Sequence, residues 1–231
     1  MSTVLITGAN RGLGLEFARQ YAADGWQVFA TCREPDAARE LRGLAAEHDG
    51  RIRILTMDVA DDASVRAAAG ALGAEVIDLL LNNSGVGGPE DERLGRLDYA
   101  AWQGVLDVNT LGPMRVTEAF LDNVARSREK KVVTITSGMG SLADNTSGGS
   151  YAYRSSKAAV NMVMRSLAVD LAPRGITCVV INPGWVRTDM GGRSGRLSPA
   201  ESIEAMRSVI ASLKPEDSGK FMNYTGKAYP W

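Results

Sequence analysis

The segment TGANRGLG, residues 7–14, lies between a short β-branched run, TVLITG at 3–8, and a segment with helical spacing at 13–25. Glycines let such a turn bend tightly and let its backbone approach a ligand closely. The free N–H groups and the positive dipole end of the following helix suit a pyrophosphate. Strand, turn and helix in this order predict a dinucleotide-binding unit rather than an ordinary glycine-rich connection.

Apolar runs and helical patterns alternate along the rest of the chain. Strands are predicted at 3–8, 26–32, 51–59, 75–85, 130–137, 176–184 and 219–224. Helices are predicted at 13–25, 35–48, 61–72, 98–127, 151–172 and 198–213, the last with Ser198 as N-cap and Pro199 behind it. Nearly continuous apolar strands between helices predict an α/β fold, a Rossmann-type doubly wound parallel sheet with helices on both faces.

The length of 231 residues fits one domain, 1–231, with a cofactor half at about 1–130 and a catalytic and substrate part at about 131–231. Lys plus Arg is 26 and Asp plus Glu is 27, so no basic surplus indicates nucleic acid or a membrane surface. Two distant cysteines and one histidine, Cys32, Cys178 and His48, offer no metal-binding spacing. The start resembles no signal peptide and no apolar run is long enough to span a membrane, so we expect a cytoplasmic protein.

Two tyrosines and one lysine stand close together in SYAYRSSKAAV, residues 150–160. On a helix, residues four apart face the same way, so Lys157 faces Tyr153, whereas Tyr151 faces the uncharged Ser155. A nearby ammonium group lowers the pKa of a phenol, which would make Tyr153 a better proton donor or acceptor at neutral pH.

Taken together, the motifs resemble the short-chain dehydrogenases/reductases from one end of the chain to the other. The nearest resemblance is to the sniffer-type carbonyl reductases and the myxobacterial C-factor proteins. Ser84 stands in place of the usual alanine and Asn182 where those relatives often have histidine. The matching motifs are TGANRGLG at 7–14, Asp58 with Val59, NNSG at 82–85, Asn109, Ser137, YRSSK at 153–157 and NPGWVRTDM at 182–190.

The resemblance implies a role for each of four catalytic residues. Tyr153 is the general acid in carbonyl reduction, and Lys157 lowers its pKa and holds the nicotinamide ribose. Ser137 hydrogen-bonds the substrate oxygen, and Asn109 anchors a water that relays protons to Lys157. Ser137 lies further from Tyr153 than is usual, and Ser141 is the alternative. The strand end before Ser137 favours Ser137, because ligands bind at strand ends in such sheets.

The resemblance also implies the cofactor-binding residues, which are Gly8, Asn10, Arg11, Gly12, Leu13, Gly14, Arg33, Asp58, Val59, Asn83, Ser84, Gly85, Tyr153, Lys157, Pro183, Gly184, Val186 and Thr188. The second strand ends in Cys32 where an acidic residue would bind the ribose of NAD. Arg33 and Arg11 suit the extra phosphate of NADP, with Glu34 expected to point to solvent. The predicted cofactor is therefore NADP(H).

We therefore expect an NADPH-dependent carbonyl reductase acting on small or flat apolar aldehydes, ketones or quinones. Trp185 and Met139 are candidate walls of its site, and a short polar lid follows at 190–198. A 3-oxoacyl-carrier reductase and a dinucleotide-binding signalling protein of C-factor type are the alternatives. The helix at 153–171 is apolar around much of its circumference, which favours a homodimer or homotetramer.

Overall fold

The computed structural model describes all 231 residues, and a single sheet forms its centre. The strands are β1 (Thr3–Ile6), β2 (Gln27–Cys32), β3 (Ile52–Thr56), β4 (Leu79–Asn82), β5 (Lys131–Ile135), β6 (Thr177–Asn182) and β7 (Phe221–Asn223). All neighbouring strands pair in parallel, in the order β3-β2-β1-β4-β5-β6-β7. The predicted α/β fold with a doubly wound parallel sheet is therefore confirmed.

Helices cover both faces of the sheet. They are α1 (Gly12–Ala23), α2 (Arg39–Glu47), α3 (Asp62–Leu72), α4 (Tyr99–Leu106), α5 (Gly112–Ala119), α6 (Leu121–Ala125), α7 (Tyr151–Asp170) and α8 (Pro199–Ser212). Ser198 caps α8 by accepting a hydrogen bond from the Glu201 N–H, with Pro199 in the first turn as predicted. None of these helices combines the length and the apolar character that crossing a membrane requires.

Two apolar cores result from the alternation of side chains along the strands. Val4 and Ile6 point to one face, where α1, α2 and α8 pack, whereas Leu5 points to the other. That second face is covered by α3, α5, α6 and α7. The central strands β1, β4 and β6 are buried on both sides and are therefore largely continuous apolar runs, whereas the edge strand β3 has exposed Arg53 and Thr56.

The order of the strands places a crevice at the carboxyl end of β1. From β1 the chain builds outward to β2 and β3, then crosses to β4 on the other side of β1. Loops that leave the two adjacent strands therefore run in opposite directions. Ligands bind at such a switch point in open α/β sheets.

The predicted helical region at 98–127 is interrupted, and the interruption affects a predicted catalytic residue. Residues Asp107–Leu111 form a π-helical turn between α4 and α5, with Asn109 at its centre. Pro113, four residues after Asn109, has no N–H and cannot close an α-helical hydrogen bond onto the Asn109 carbonyl. The predicted helix at 35–48 is also divided, because a single 3₁₀ turn at Pro35–Ala37 precedes α2.

Candidate active site

A cleft of about 660 Å³ opens at the carboxyl ends of β1, β4, β5 and β6. The structure places all of the predicted cofactor-binding residues in its wall, together with Ser137. These residues come from seven separate stretches of the chain. The volume lies within the range of small-molecule and cofactor sites in proteins.

Close packing leaves no room for a side chain at two glycines of the turn, Gly8 and Gly14. A Cβ on Gly14 would lie 2.2 Å from the carbonyl oxygen of Gly8 and 2.6 Å from the Asn83 amide nitrogen. Gly8 has a φ of 65°, which favours glycine. The cap residue Arg11 makes no side-chain hydrogen bond to the first turn of α1. This cradle therefore fits a pyrophosphate held by backbone N–H groups.

A polar network joins the glycine turn to the end of β4. The Thr7 hydroxyl accepts hydrogen bonds from the backbone N–H groups of Asn83 and Ser84, at 3.0 and 2.9 Å. The Asn83 amide donates to the Thr7 carbonyl oxygen at 2.9 Å. These hydrogen bonds fix the distance between the segments that follow β1 and β4. The NNSG motif at 82–85 therefore has a structural role in addition to its predicted role in cofactor binding.

Tyr153 and Lys157 occupy the wall of the cleft on one face of α7, as their spacing predicts. The Lys157 Nζ atom lies 5.7 Å from the centre of the Tyr153 ring. It donates a hydrogen bond to the Ile135 carbonyl oxygen at the end of β5, at 3.0 Å. Tyr151 lies outside the cleft, where its ring packs against Trp102 of α4.

The direction of the Tyr153 pKa differs from the expectation. Burial raises the pKa of the Tyr153 phenol above its usual value, and its interaction with the Ser137 hydroxyl lowers it only in part. Burial also lowers the pKa of Lys157, to about 8. Loss of hydration therefore sets the direction of the Tyr153 pKa in this structure, and the lowering of that pKa by Lys157 stays a prediction.

Ser137 begins a 3₁₀ turn directly after β5 and faces the cleft. Its hydroxyl oxygen accepts a hydrogen bond from the Met139 N–H at 3.1 Å, which leaves the hydroxyl hydrogen free to donate. The alternative, Ser141, is buried and bonds elsewhere, to the Trp231 carbonyl oxygen and the Asp144 N–H. Of the two serines, only Ser137 lines the cleft, and its catalytic role stays a prediction.

Asn109 lies behind the wall of the cleft, not in it. Its side-chain oxygen accepts from the Val86 N–H at 2.8 Å, and its amide donates to the Val86 carbonyl and to the Ser156 hydroxyl. The side chain thus connects the loop after β4 to α7, beside Lys157. A proton relay through Asn109 would need its backbone carbonyl. Pro113 lacks an N–H and therefore cannot donate a hydrogen bond to that carbonyl.

Charges at the end of the cleft near β2 differ from those expected. Arg33 is exposed and makes no ion pair, whereas Arg11 is paired with Asp189 at 2.7 Å. Glu34 is exposed to solvent, as expected, but it also lines the cleft, which was not expected. One free guanidinium, rather than two, stands at this end.

The other end of the cleft has apolar walls, and two acidic side chains that were not predicted also border the cleft. Met139 and Trp185 line it as expected, together with Met190. Glu92 and Asp189 also line the cleft, and sequence reasoning missed both. No local pattern marks them, because their partners Ala152 and Arg11 lie 60 and 178 residues away.

Comparisons with known proteins agree with this geometry. The family model described as short chain dehydrogenase matches residues 2–196. The C-signal protein of Myxococcus xanthus is 48% identical over 155 residues, which cover 67% of this chain and 93% of that protein. The carbonyl reductase Sniffer of D. melanogaster is 34% identical, with 100% of both chains covered and a TM-score of 0.93. An NADPH-bound carbonyl reductase from chicken fatty liver is 34% identical, covering 100% of this chain and 99% of its own, with a TM-score of 0.94. The resemblance seen in the motifs is therefore confirmed, and the chain belongs to the short-chain dehydrogenase family.

Proposed function

We propose that this oxidoreductase is an NADPH-dependent carbonyl reductase that converts an aldehyde, ketone or quinone into the alcohol or hydroquinone. One observation carries the proposal. Ser137, Tyr153 and Lys157 converge on the cleft that also contains the glycine turn at residues 7–14. A protein that only bound a dinucleotide would have no chemical need for that set of three.

The cradle at the glycine turn, with Lys157 and the residues around Asp58, fits NADP(H). When bound, the reduced nicotinamide supplies a hydride for the carbonyl carbon. Tyr153 donates the phenolic proton to the carbonyl oxygen, which completes the alcohol. Burial raises the pKa of Tyr153, so the phenol is protonated before the reaction and the charged Lys157 is needed to stabilise the tyrosinate as the proton leaves. Ser137 donates a hydrogen bond to the same oxygen as negative charge develops there.

Lys157 links the proton donor to the rest of the site. In its charged form it holds the cofactor ribose and stabilises the tyrosinate left after proton transfer. We propose that the Asn109 carbonyl, to which Pro113 can donate no hydrogen bond, orders the water that returns a proton through Lys157. The Asn109 side chain contributes by joining the loop after β4 to α7.

Selection of NADPH over NADH follows from Arg33. A guanidinium–phosphate contact that is partly desolvated contributes roughly 1.5–3 kcal/mol, so we expect a preference of about tenfold to a hundredfold. The neighbour from chicken fatty liver binds NADPH, which supports the same choice. Titration of both cofactors into the wild type and Arg33→Asp measures the preference. Equal affinities in the wild type would contradict it, and Arg33→Asp should level or reverse it.

The proposed activity can be tested by NADPH consumption against a panel of aldehydes, ketones and quinones, with a 3-oxoacyl thioester as a further member. Apolar walls at Met139, Trp185 and Met190 favour small or flat apolar carbonyl compounds. Faster turnover of the thioester than of every free carbonyl compound would instead favour the acyl-carrier reductase.

A second candidate function is a dinucleotide-binding signalling protein, and the similarity to C-signal favours it. In that case cofactor occupancy would matter more than turnover. NADPH binding without consumption across the whole panel would support this alternative. A cytoplasmic location, the lack of nucleic-acid partners and the division at about residue 130 stay predictions.

Self-association is proposed through the face formed by α4 and α7. Met162 and Val169 on α7 and Tyr99 on α4 are exposed at 66, 63 and 72% of their surface. A second copy would cover these apolar side chains. We expect a dimer or tetramer by light scattering at micromolar concentration, and Met162→Glu should dissociate it. A wild-type monomer at that concentration would contradict the proposal.

A further inference from the structure

Helix α7, which carries Tyr153 and Lys157, begins without a cap of its own. Its N-cap residue, Ser150, adopts a left-handed conformation with φ 47° and makes no side-chain hydrogen bond to the first turn. No acidic residue lies in that turn. The first N–H groups of a helix need partners from outside it, and a negative charge near them is stabilising.

Glu92 supplies the missing partner from the loop between β4 and α4. Its Oε1 atom accepts a hydrogen bond from the Ala152 N–H at 2.8 Å, across 60 residues of sequence. Its Oε2 atom is buried and accepts no hydrogen bond. A Cβ built on Gly88 would lie 3.5 Å from that oxygen and 3.6 Å from the Tyr153 nitrogen. The carboxylate is therefore packed between the loop and the turn that carries Tyr153.

The later turns of α7 are fixed by other contacts. Lys157 bonds the end of β5, and the Ser156 carbonyl accepts from the Thr110 hydroxyl at 2.9 Å. Tyr153 is the third residue of the helix, so the position of its phenol depends on the first turn. Glu92 is the side chain from outside the helix that bonds a backbone N–H of this turn.

We infer that Glu92 is a positioning residue, which holds the first turn of α7 and thereby sets the Tyr153 phenol against the substrate. The inference rests on the proposed role of Tyr153 as proton donor. Glu92 itself is not expected to contact the substrate, because its Oε1 atom bonds the Ala152 N–H and its Oε2 atom is buried.

Four variants test this inference. Glu92→Ala removes the acceptor, Glu92→Gln retains an amide oxygen for the Ala152 N–H, and Glu92→Asp retains the charge on a side chain one methylene shorter. Glu90→Ala is the matched control, because this exposed carboxylate in the same loop makes no ion pair or hydrogen bond. For each variant, kcat per NADPH-binding site, KM for one carbonyl compound, the Kd of NADPH and the Tm are measured.

We expect kcat of Glu92→Ala to fall by about tenfold to a hundredfold, as for a misplaced catalytic group. Its NADPH Kd should stay within about twofold, because the cradle at residues 7–14 is untouched. Glu92→Gln should regain most of kcat, Glu92→Asp should be intermediate, and Glu90→Ala should resemble the wild type. Because kcat is calculated per NADPH-binding site, unfolded protein does not lower the measured value.

An unchanged kcat in Glu92→Ala would overturn the inference, as would a change confined to KM or to the NADPH Kd. If Glu92→Ala does not fold, the test uses Glu92→Asp instead. A kcat of Glu92→Asp equal to that of the wild type would then overturn the inference. Glu92→Gln as defective as Glu92→Ala would also overturn it. Tyr153→Phe separates the two claims, because full activity in that variant refutes the proposed function itself. Loss of activity in Tyr153→Phe with a normal Glu92→Ala refutes only the positioning role.

Discussion

Tyr153→Phe should lower carbonyl reduction by at least about 10²–10⁴-fold, the usual loss when a general acid is removed. The ring and its packing remain, but the transferable proton is gone. NADPH should still bind, because the glycine turn at residues 7–14 and Lys157 are unchanged. Initial rates of NADPH oxidation and a separate fluorescence titration of NADPH measure the two effects.

Tyr151→Phe is the matched control for that experiment. Tyr151 stands two positions earlier on the same helix, but it packs against Trp102 outside the cleft. We expect its rate to stay within about threefold of the wild type, as for substitutions away from a site. If Tyr151→Phe is the inactive variant, or if both variants remain active, catalysis does not depend on this face of α7.

Lys157→Met should impair both cofactor binding and turnover, because one ammonium group is proposed to serve both. The variant keeps an unbranched side chain, one atom shorter, but loses the charge and the hydrogen bond to the Ile135 carbonyl. Loss of a charged hydrogen-bond partner suggests a decrease in affinity of about tenfold or more. Titrations with NADPH and single-turnover rates at saturating NADPH separate the two losses.

The pH dependence of NADPH binding provides a second test of Lys157. Burial lowers the pKa of this lysine to about 8, so the group is charged below that pH and increasingly neutral above it. Wild-type affinity should therefore fall as the pH rises through about 8, by on the order of tenfold one unit above it. Lys157→Met should bind weakly with no such dependence. A wild-type affinity that is constant from about pH 7 to 9 would contradict the role.

Lys157→Met should lose function without losing stability at neutral pH. The lysine pKa is lower in the folded chain than in the unfolded chain, so protonation favours unfolding at neutral pH. This cost is fully present below about pH 8 and disappears as the pH rises to the unfolded value of 10.5. We expect the variant to be no less stable than the wild type at about pH 7. Inactivity could then not be attributed to unfolding.

Local patterns were sufficient to predict the fold and most of the residues that line the cleft. At positions 8 and 14 the backbone lies so close to neighbouring residues that only glycine fits. The glycines themselves therefore reveal the tight turn in the sequence. The spacing of Tyr153 and Lys157 follows from helical geometry alone. The strand end before Ser137 likewise placed that residue in the cleft.

Contacts between distant segments could not be predicted in the same way. The ion pair of Arg11 with Asp189 and the cap that Glu92 gives to α7 join segments with no shared motif. The direction of the Tyr153 pKa depends on how much water the folded chain excludes, which spacing does not reveal. The π-helical turn was not predicted, although Pro113 marks it in the sequence by lacking the N–H that the Asn109 carbonyl would need.

The path of the hydride distinguishes a carbonyl reductase from a protein that only binds the cofactor. NADPH carrying deuterium at both positions of nicotinamide C4 is incubated with the wild type and an aromatic aldehyde or ketone, and the product is analysed by mass spectrometry. We predict an alcohol with one deuterium on the former carbonyl carbon, formed in an amount equal to the NADPH consumed and at least about a hundredfold more slowly with Tyr153→Phe. NADPH that binds the protein but transfers no deuterium to any aldehyde or ketone would contradict the proposed function.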